Sequence, residues 1–241
     1  MHNSLGLGKP SAFGERGITK RLDALARRTD LTGDRLLDIG CGDGSYTRRL
    51  ADGFTTVDAI DIQTDLLAQF AERVEGTPAA HQITISEMSA AKLCYPDDTF
   101  DLVTSIEVLE HIVELDQALS EICRVLKPGG RFAFTTPNRW FLFETHGFIV
   151  GGRRYSPARA PFLTWVGPLH RRLADARTFT AGELKRRLAT AGLETRSIDY
   201  IMPPFDRSAL GRHIRTVTDM AERTPLRVLG MALVVTADKP R

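Results

Sequence analysis

Cysteine is scarce in this chain of 241 residues. The three present, Cys41, Cys94 and Cys123, are an odd number at scattered spacing, which excludes a disulfide framework and a zinc-ligand pattern. No apolar run approaches the roughly 18–20 residues of a membrane span, so no stable membrane insertion is expected. An excess of charge is missing too. Thirty-two basic residues against thirty acidic ones leave a formal net charge of +2, without the basic footprint of a nucleic-acid binder. The opening MHNSLGLGKP lacks a basic-then-apolar secretory pattern. Together these point to a reduced, cytoplasmic protein, monomeric or homodimeric. There are no internal repeats.

What is present is an alternation. RLLDI (35–39) is a short apolar run ended by glycine, and TTVDAIDI (55–62), HQITISE (81–87), FDLVTSI (100–106) and RFAFTTP (131–137) have strand character. Between them, SYTRRLADG reads as a helix stopped at Gly53. TDLLAQFAERVEG (64–76) reads as a helix capped by Thr64 and Gly76. Leu115, Ala118, Leu119, Ile122, Val125 and Leu126 share one helical face before Pro128 and two glycines. ITKRLDALARRT (18–29) adds a helix in front, behind a loose segment or flap over 1–17. Strands alternating with helices predict an α/β, doubly wound parallel sheet, with the ligand at the C-terminal strand ends. Further on, TAGELKRRLATAG (180–192) is a capped helix, LETRSIDYI (193–201) a strand, 206–223 a helix and RVLGMALVVTADK (227–239) a last strand.

The first strand runs straight into LLDIGCGDGSY (36–46). A dinucleotide loop of the G-x-G-x-x-G type would need its third glycine at position 45, where Ser45 stands, and Asp43 would repel a pyrophosphate. A Walker lysine is absent. A ligand with a cationic end fits better. Asp38 closes the strand facing the loop mouth, where it could hold an ammonium group. The N–H groups of Gly40, Gly42 and Gly44 could approach a carboxylate or ribose. Asp61 ends the second strand about 20 residues on, where an acid takes ribose hydroxyls. An adenosine bearing an amino acid, such as S-adenosylmethionine (SAM), meets these demands together.

LLDIGCGDGSY, AIDIQTDLL, YPDDTFDLVTSIEVLEHI, ALSEICRVLKPGGRFAFTTPN and FTAGELKRRLATAGLE resemble, in order, the motifs of class I (Rossmann-like) SAM-dependent methyltransferases, with the flavour of the ubiquinone-pathway O-methyltransferases. The likeness covers 35–137 strongly and 178–240 loosely. It implies a mostly parallel seven-stranded sheet ordered 3-2-1-4-5-7-6 with the last strand antiparallel. It also implies SAM as cofactor and S-adenosylhomocysteine as product. Carried onto this chain, Asp38, Gly40, Cys41, Gly42 and Gly44 take the methionine end, and Asp61 takes the ribose with Ile62 against the adenine. Met88 or Ser89 stands where relatives often have an acid for the adenine amine. Ser105 and Ile106 line the cofactor near the sulfonium. Four segments follow: a flap and helix (1–34), the SAM-binding core (35–137), a lid-like, substrate-capping insertion (138–178) and the rest of the sheet (179–241).

The chemistry is expected in SIEVLEHI (105–112). On a helix, Glu107, Glu110 and His111 would approach one another. His111 is a candidate general base, with Glu107 beside it and His146 as a rival. Ubiquinone-pathway relatives carry a similar E-x-x-E-H string implicated in metal binding. The string also occurs in relatives with different acceptors, and no metal is expected here. In the insertion, Arg153, Arg154, Arg159, Arg171, Arg172 and Arg177 face only Asp175 between 150 and 178, which suits an anionic acceptor. Arg153, Arg154, Tyr155 and His170 are the acceptor-binding candidates. The expected activity is O-methylation of an anionic or sugar- or phenol-type small molecule. N- or C-methylation of a lipid or polyketide-like acceptor, and a non-catalytic SAM-binding domain, are the alternatives. PPF at 203–205 does not follow the fourth strand, where a nucleic-acid methyltransferase would carry its N-P-P-Y type of motif.

Overall fold

The computed structural model describes residues 6–7, 14–156, 159–203, 218 and 220–241. In chain order the elements are α1 (Gly14–Ala26), β1 (Gly33–Ile39), α2 (Thr47–Leu50), β2 (Phe54–Asp61), α3 (Thr64–Val74), β3 (Ile83–Glu87), β4 (Phe100–Ile106), α4 (Leu115–Val125) and β5 (Leu126–Pro137). There follow β6 (Phe148–Val150), β7 (Arg153–Tyr155), α5 (Gly167–Leu173), α6 (Ala181–Thr190), β8 (Glu194–Ile201) and β9 (Ala232–Asp238).

Seven strands form one sheet in the order β3-β2-β1-β4-β5-β9-β8. Only β9 runs against its neighbours. The small β6–β7 hairpin stands apart, so the sheet's own strands read 3-2-1-4-5-7-6, as expected. β1 lies between β2 and β4, which makes its C-terminal end the switch point where such sheets bind ligands. Strands buried on both faces need apolar residues at successive positions. Accordingly Leu36 joins the core that holds Leu25, Phe70 and Leu102, while Leu37 joins the one that holds Val103, Leu119, Ile122 and Phe134. The apolar stripe of α4 is buried as its spacing requires.

Several boundaries differ from the sequence reading. α1 ends at Ala26. Thr64 is the first residue of α3 and not its cap; Gln63 takes that position, with no capping bond from its side chain to the helix. β5 begins at Leu126 because Leu126 already pairs with Phe100, the register shifting before Leu102 meets Arg131. β9 starts at Ala232, since Pro225 opens a 3-10 turn over Pro225–Leu229. Thr180 caps α6 as expected, accepting from the Glu183 N–H at 3.2 Å. The expected helix over 206–223 lies almost wholly outside the described residues. Among those described, no helix is long and apolar enough to cross a membrane.

Candidate active site

The loop after β1 follows from its glycines. Gly40, Gly42 and Gly44 have φ of 73°, 53° and 76°, the left-handed region that side chains disfavour. Two are also enforced by packing. A Cβ on Gly40 would lie 2.9 Å from the Val108 Cβ and closer still to both Val108 methyls, and one on Gly44 would run into the Phe70 ring. The N–H groups expected to reach for a ligand are donated internally instead. Gly40 gives to Ile60 O at 2.7 Å and Gly44 to Cys41 O at 3.0 Å. Gly42 gives to Asp61 Oδ2 at 2.9 Å. A loop this tight must satisfy its own backbone, so its glycines supply room and shape.

The two awkward acids separate in role. Asp43 braces the loop by accepting from Ser45 Oγ at 2.6 Å and pairing with Arg73 at 2.5 Å. Against the upward push of burial, these partners hold its pKa low. Asp38 is only 2% exposed, and each of its oxygens accepts a threonine hydroxyl, Thr47 at 2.6 Å and Thr104 at 2.8 Å. Burial pushes its pKa up to about 6. Asp38 therefore underpins the loop, tying it to Thr47 after the glycines and to Thr104 on β4.

Asp61 ends β2 with its carboxylate aimed at the loop. Besides Gly42, it accepts from the Gln63 N–H at 3.0 Å. Next to it Ile62 is 56% exposed, an apolar side chain left open at the strand end. Met88, half-buried, and Ser89, exposed, stand after β3 at the same edge, and the Met88 N–H donates to Asp61 O at 3.0 Å. Ser105 and Ile106 are buried at the end of β4. The Ser105 hydroxyl has no hydrogen-bond partner among the described residues. Cys41 is buried and its thiol pKa is raised, by burial first, so it is no nucleophile.

Residues 107–111 turn over this loop and are not helical. Glu107 sits at φ 58°, a conformation costly for a side chain with a Cβ. It accepts from Thr135 Oγ1 at 2.9 Å and from the buried Arg21 of α1 at 3.3 Å. Glu110 is fully buried and accepts from Thr136 Oγ1 at 3.1 Å. Its Oε1 has no hydrogen-bond partner among the described residues and lies 3.6 Å from His146 Nε2. Burial, then the charge of Glu107, holds its pKa well above the usual carboxylate range. His111 meets His146 edge-on, ring centres 5.0 Å apart. Burial, then His146, lowers the His111 pKa to about 4, so the imidazole is neutral at physiological pH. Ligand atoms of Glu110, His111 and His146 lie within 4.8 Å of one another, close enough to share one cation.

His146 reaches the site because Glu144 holds its loop. Buried Glu144 accepts the N–H groups of Thr145 and His146 at 2.9 and 3.0 Å through Oε1, and pairs with buried His170 through Oε2. Burial pushes the Glu144 pKa up, but His170 and the His146 N–H outweigh it and the net shift is down. His170, expected from the sequence to contact the acceptor, is buried and paired with Glu144. Arg154 pairs with Asp175 and donates to His146 O at 2.8 Å. Arg177 donates to Ile112 O and Val113 O. Arg153, Arg159 and Arg171 are exposed, and Tyr155 stacks on Phe148 at 5.5 Å. Trp140, Phe162 and Trp165 form an exposed aromatic group. Sequence reasoning did not find Arg21, Gly6 or Glu144 as parts of this site. Each acts across a long sequence separation with no motif to mark it.

A family described as a methyltransferase domain matches residues 37–134. A demethylmenaquinone methyltransferase of Symbiobacterium thermophilum is 35% identical over 154 residues, 61% of this chain and 59% of that protein. A ubiquinone biosynthesis O-methyltransferase of Azoarcus is 32% identical over 181 residues, covering 74% of this chain and 72% of that one. The chain belongs to the class I SAM-dependent methyltransferase family. It spans only about half to three-fifths of the length of several curated relatives, 49% and 59% for two of them. The crystal structure of the [4+2]-cyclase SpnF superposes with a TM-score of 0.64 and 26% identity, over all of this chain and 88% of that one. SAM is the cofactor of the family, and this chain's residues fit it. The loop leaves open space at Gly42, where a Cβ would meet nothing nearer than Leu66 at 3.9 Å, Asp61 is pre-set beside it, and Ile62 is an exposed apolar side chain.

Proposed function

We propose that this protein methylates a hydroxyl group of a small molecule, with His111 taking the acceptor's proton. The observation that carries this reading is the Gly40–Val108 contact, which sets the segment bearing His111 directly on the loop that would hold SAM. Asp61 would take the ribose, Ile62 the adenine and the loop around Gly42 the methionine end. Met88 or Ser89 would line the adenine, and Ser105 and Ile106 the far wall. When bound, SAM supplies an activated methyl group. The protein must then align the acceptor, exclude water and remove a proton. His111 is neutral and so has a lone pair to receive it. Burial, then the charge of Glu107, holds the Glu110 pKa well above the usual carboxylate range.

For the acceptor, the insertion (138–178) offers exposed arginines beside exposed aromatics. That pairing suits a small molecule with an anionic group on an aromatic or otherwise apolar body. Of the two curated relatives above, one is named for demethylmenaquinone and the other for ubiquinone biosynthesis, which supports a quinone- or phenol-type ring.

The test is SAM turnover with a panel of carboxylated phenols and hydroquinones, product methoxy groups being read by mass spectrometry. His111→Gln should lose kcat roughly 100-fold or more while still binding S-adenosylhomocysteine by calorimetry. Methyl on carbon would replace the O-methyl reading. SAM binding without any transfer would favour a non-catalytic or SpnF-like role. Loss of activity with EDTA, restored by magnesium, would favour a cation shared by Glu110, His111 and His146 over the base.

A further inference from the structure

We infer that the backbone carbonyl of Gly6 is a positioning group of the active site, fixing which nitrogen of His111 carries the hydrogen. Its oxygen lies 2.7 Å from His111 Nδ1, across 105 residues of sequence. A carbonyl oxygen only accepts, so the hydrogen must be on Nδ1 and the lone pair of the neutral ring on Nε2. A histidine with no such partner exchanges between two tautomers, only one of which presents that lone pair.

Gly6 is itself held. Its N–H donates to Asp175 O at 2.9 Å. The Asp175 carboxylate pairs with Arg154, which donates to His146 O at 2.8 Å. One chain of contacts therefore joins Gly6, the insertion and His146, and His146 meets the same His111 ring edge-on. Space at residue 6 is tight, because a Cβ there would stand 3.1 Å from the Asp175 Cβ. The groups facing His111 are thus a carbonyl on one nitrogen and an imidazole against the ring, with Glu107 and Glu110 on its own segment.

The catalytic consequence rests on the base reading above, but the tautomer does not. Long-range 1H–15N correlation on the full-length chain, labelled at histidine, reads it directly. The expected result is a protonated Nδ1 and an unprotonated Nε2 at His111 near neutral pH. A hydrogen on Nε2 overturns the inference with no variant needed. Deleting residues 1–7 should release the ring to mixed tautomers and lower kcat roughly tenfold or more, leaving KM for SAM unchanged. Gly6→Pro, which removes the N–H to Asp175 and adds a ring where space is tight, should give a change of the same kind. An unaltered Nδ1–H signal in the folded deletion variant also overturns the inference. If the tautomer behaves as stated but His111→Gln keeps full activity, the base reading fails and the Gly6 contact stands.

Discussion

Val108 occupies the space that a side chain on Gly40 would need. The contact ties the loop after β1 to the segment after β4, so cofactor cradle and chemical groups are built as one unit. Gly40→Ala should therefore cost stability twice, through the positive φ (about 1 kcal/mol) and through overpacking against Val108 (about 1–3 kcal/mol). Gly42→Ala has the same backbone problem but open space, its nearest neighbour being Leu66 at 3.9 Å. Urea unfolding of both variants checks this. Equal losses would mean that the Val108 contact carries no weight.

Asp61 accepts the Gly42 N–H of the same loop and the Gln63 N–H at the start of α3. Bonds to a charged acceptor are worth about 1.5–3 kcal/mol each. Asp61→Ala should weaken S-adenosylhomocysteine binding by at least tenfold in calorimetry and lower the melting temperature, because both ribose contact and loop shape go. Asp61→Asn keeps one acceptor and should bind at an intermediate level. A variant that binds like the parent would remove Asp61 from the site.

The sheet was legible because its signals are local. Five apolar runs broken by glycine and capped helices fix an alternation that the structure repeats, down to β4 at Phe100–Ile106. The glycine loop was equally legible in place, though not in how it works, since N–H groups that look available in a sequence are spent on Ile60, Cys41 and Asp61. Residues 107–111 misled for a physical reason. Their i,i+3 and i,i+4 spacing suits a helix, but the left-handed turn at Glu107, held by Arg21 and Thr135, prevents one. The insertion was read from its composition, which could not reveal that Arg154 and Arg177 are spent on internal partners or that Glu144 pairs with His170.

Asp38 makes stability depend on pH. Its folded pKa of about 6 stands above the ordinary 3.8, so the folded state binds the proton more tightly than the unfolded one. The resulting stability is fully present below about pH 4 and is lost as pH rises through 6. The shift corresponds to about 3 kcal/mol. Asp38→Asn cannot ionise, and the two threonine hydroxyls can rotate to serve an amide. Its unfolding free energy, measured by urea titration, should fall less than that of the parent between pH 4 and 6.5. Parallel curves for the two proteins would show that Asp38 does not titrate in this window.

Glu144 and His170 give the sharpest test of how the insertion serves the site. Both are buried, so removing either partner strands the other's polarity, at a cost of about 3–5 kcal/mol. Glu144→Leu additionally frees the N–H groups of Thr145 and His146 and should misplace His146. Replacing both with apolar residues removes the stranded group, so the double variant should be markedly more stable than the sum of the single losses implies. Its kcat should nonetheless stay low, because His146 has lost its support, while KM for SAM is unchanged. Unfolding free energies of the four proteins and their turnover decide the matter. Additive stability losses, or a double variant with parental kcat, would mean that the pair neither couples nor positions His146.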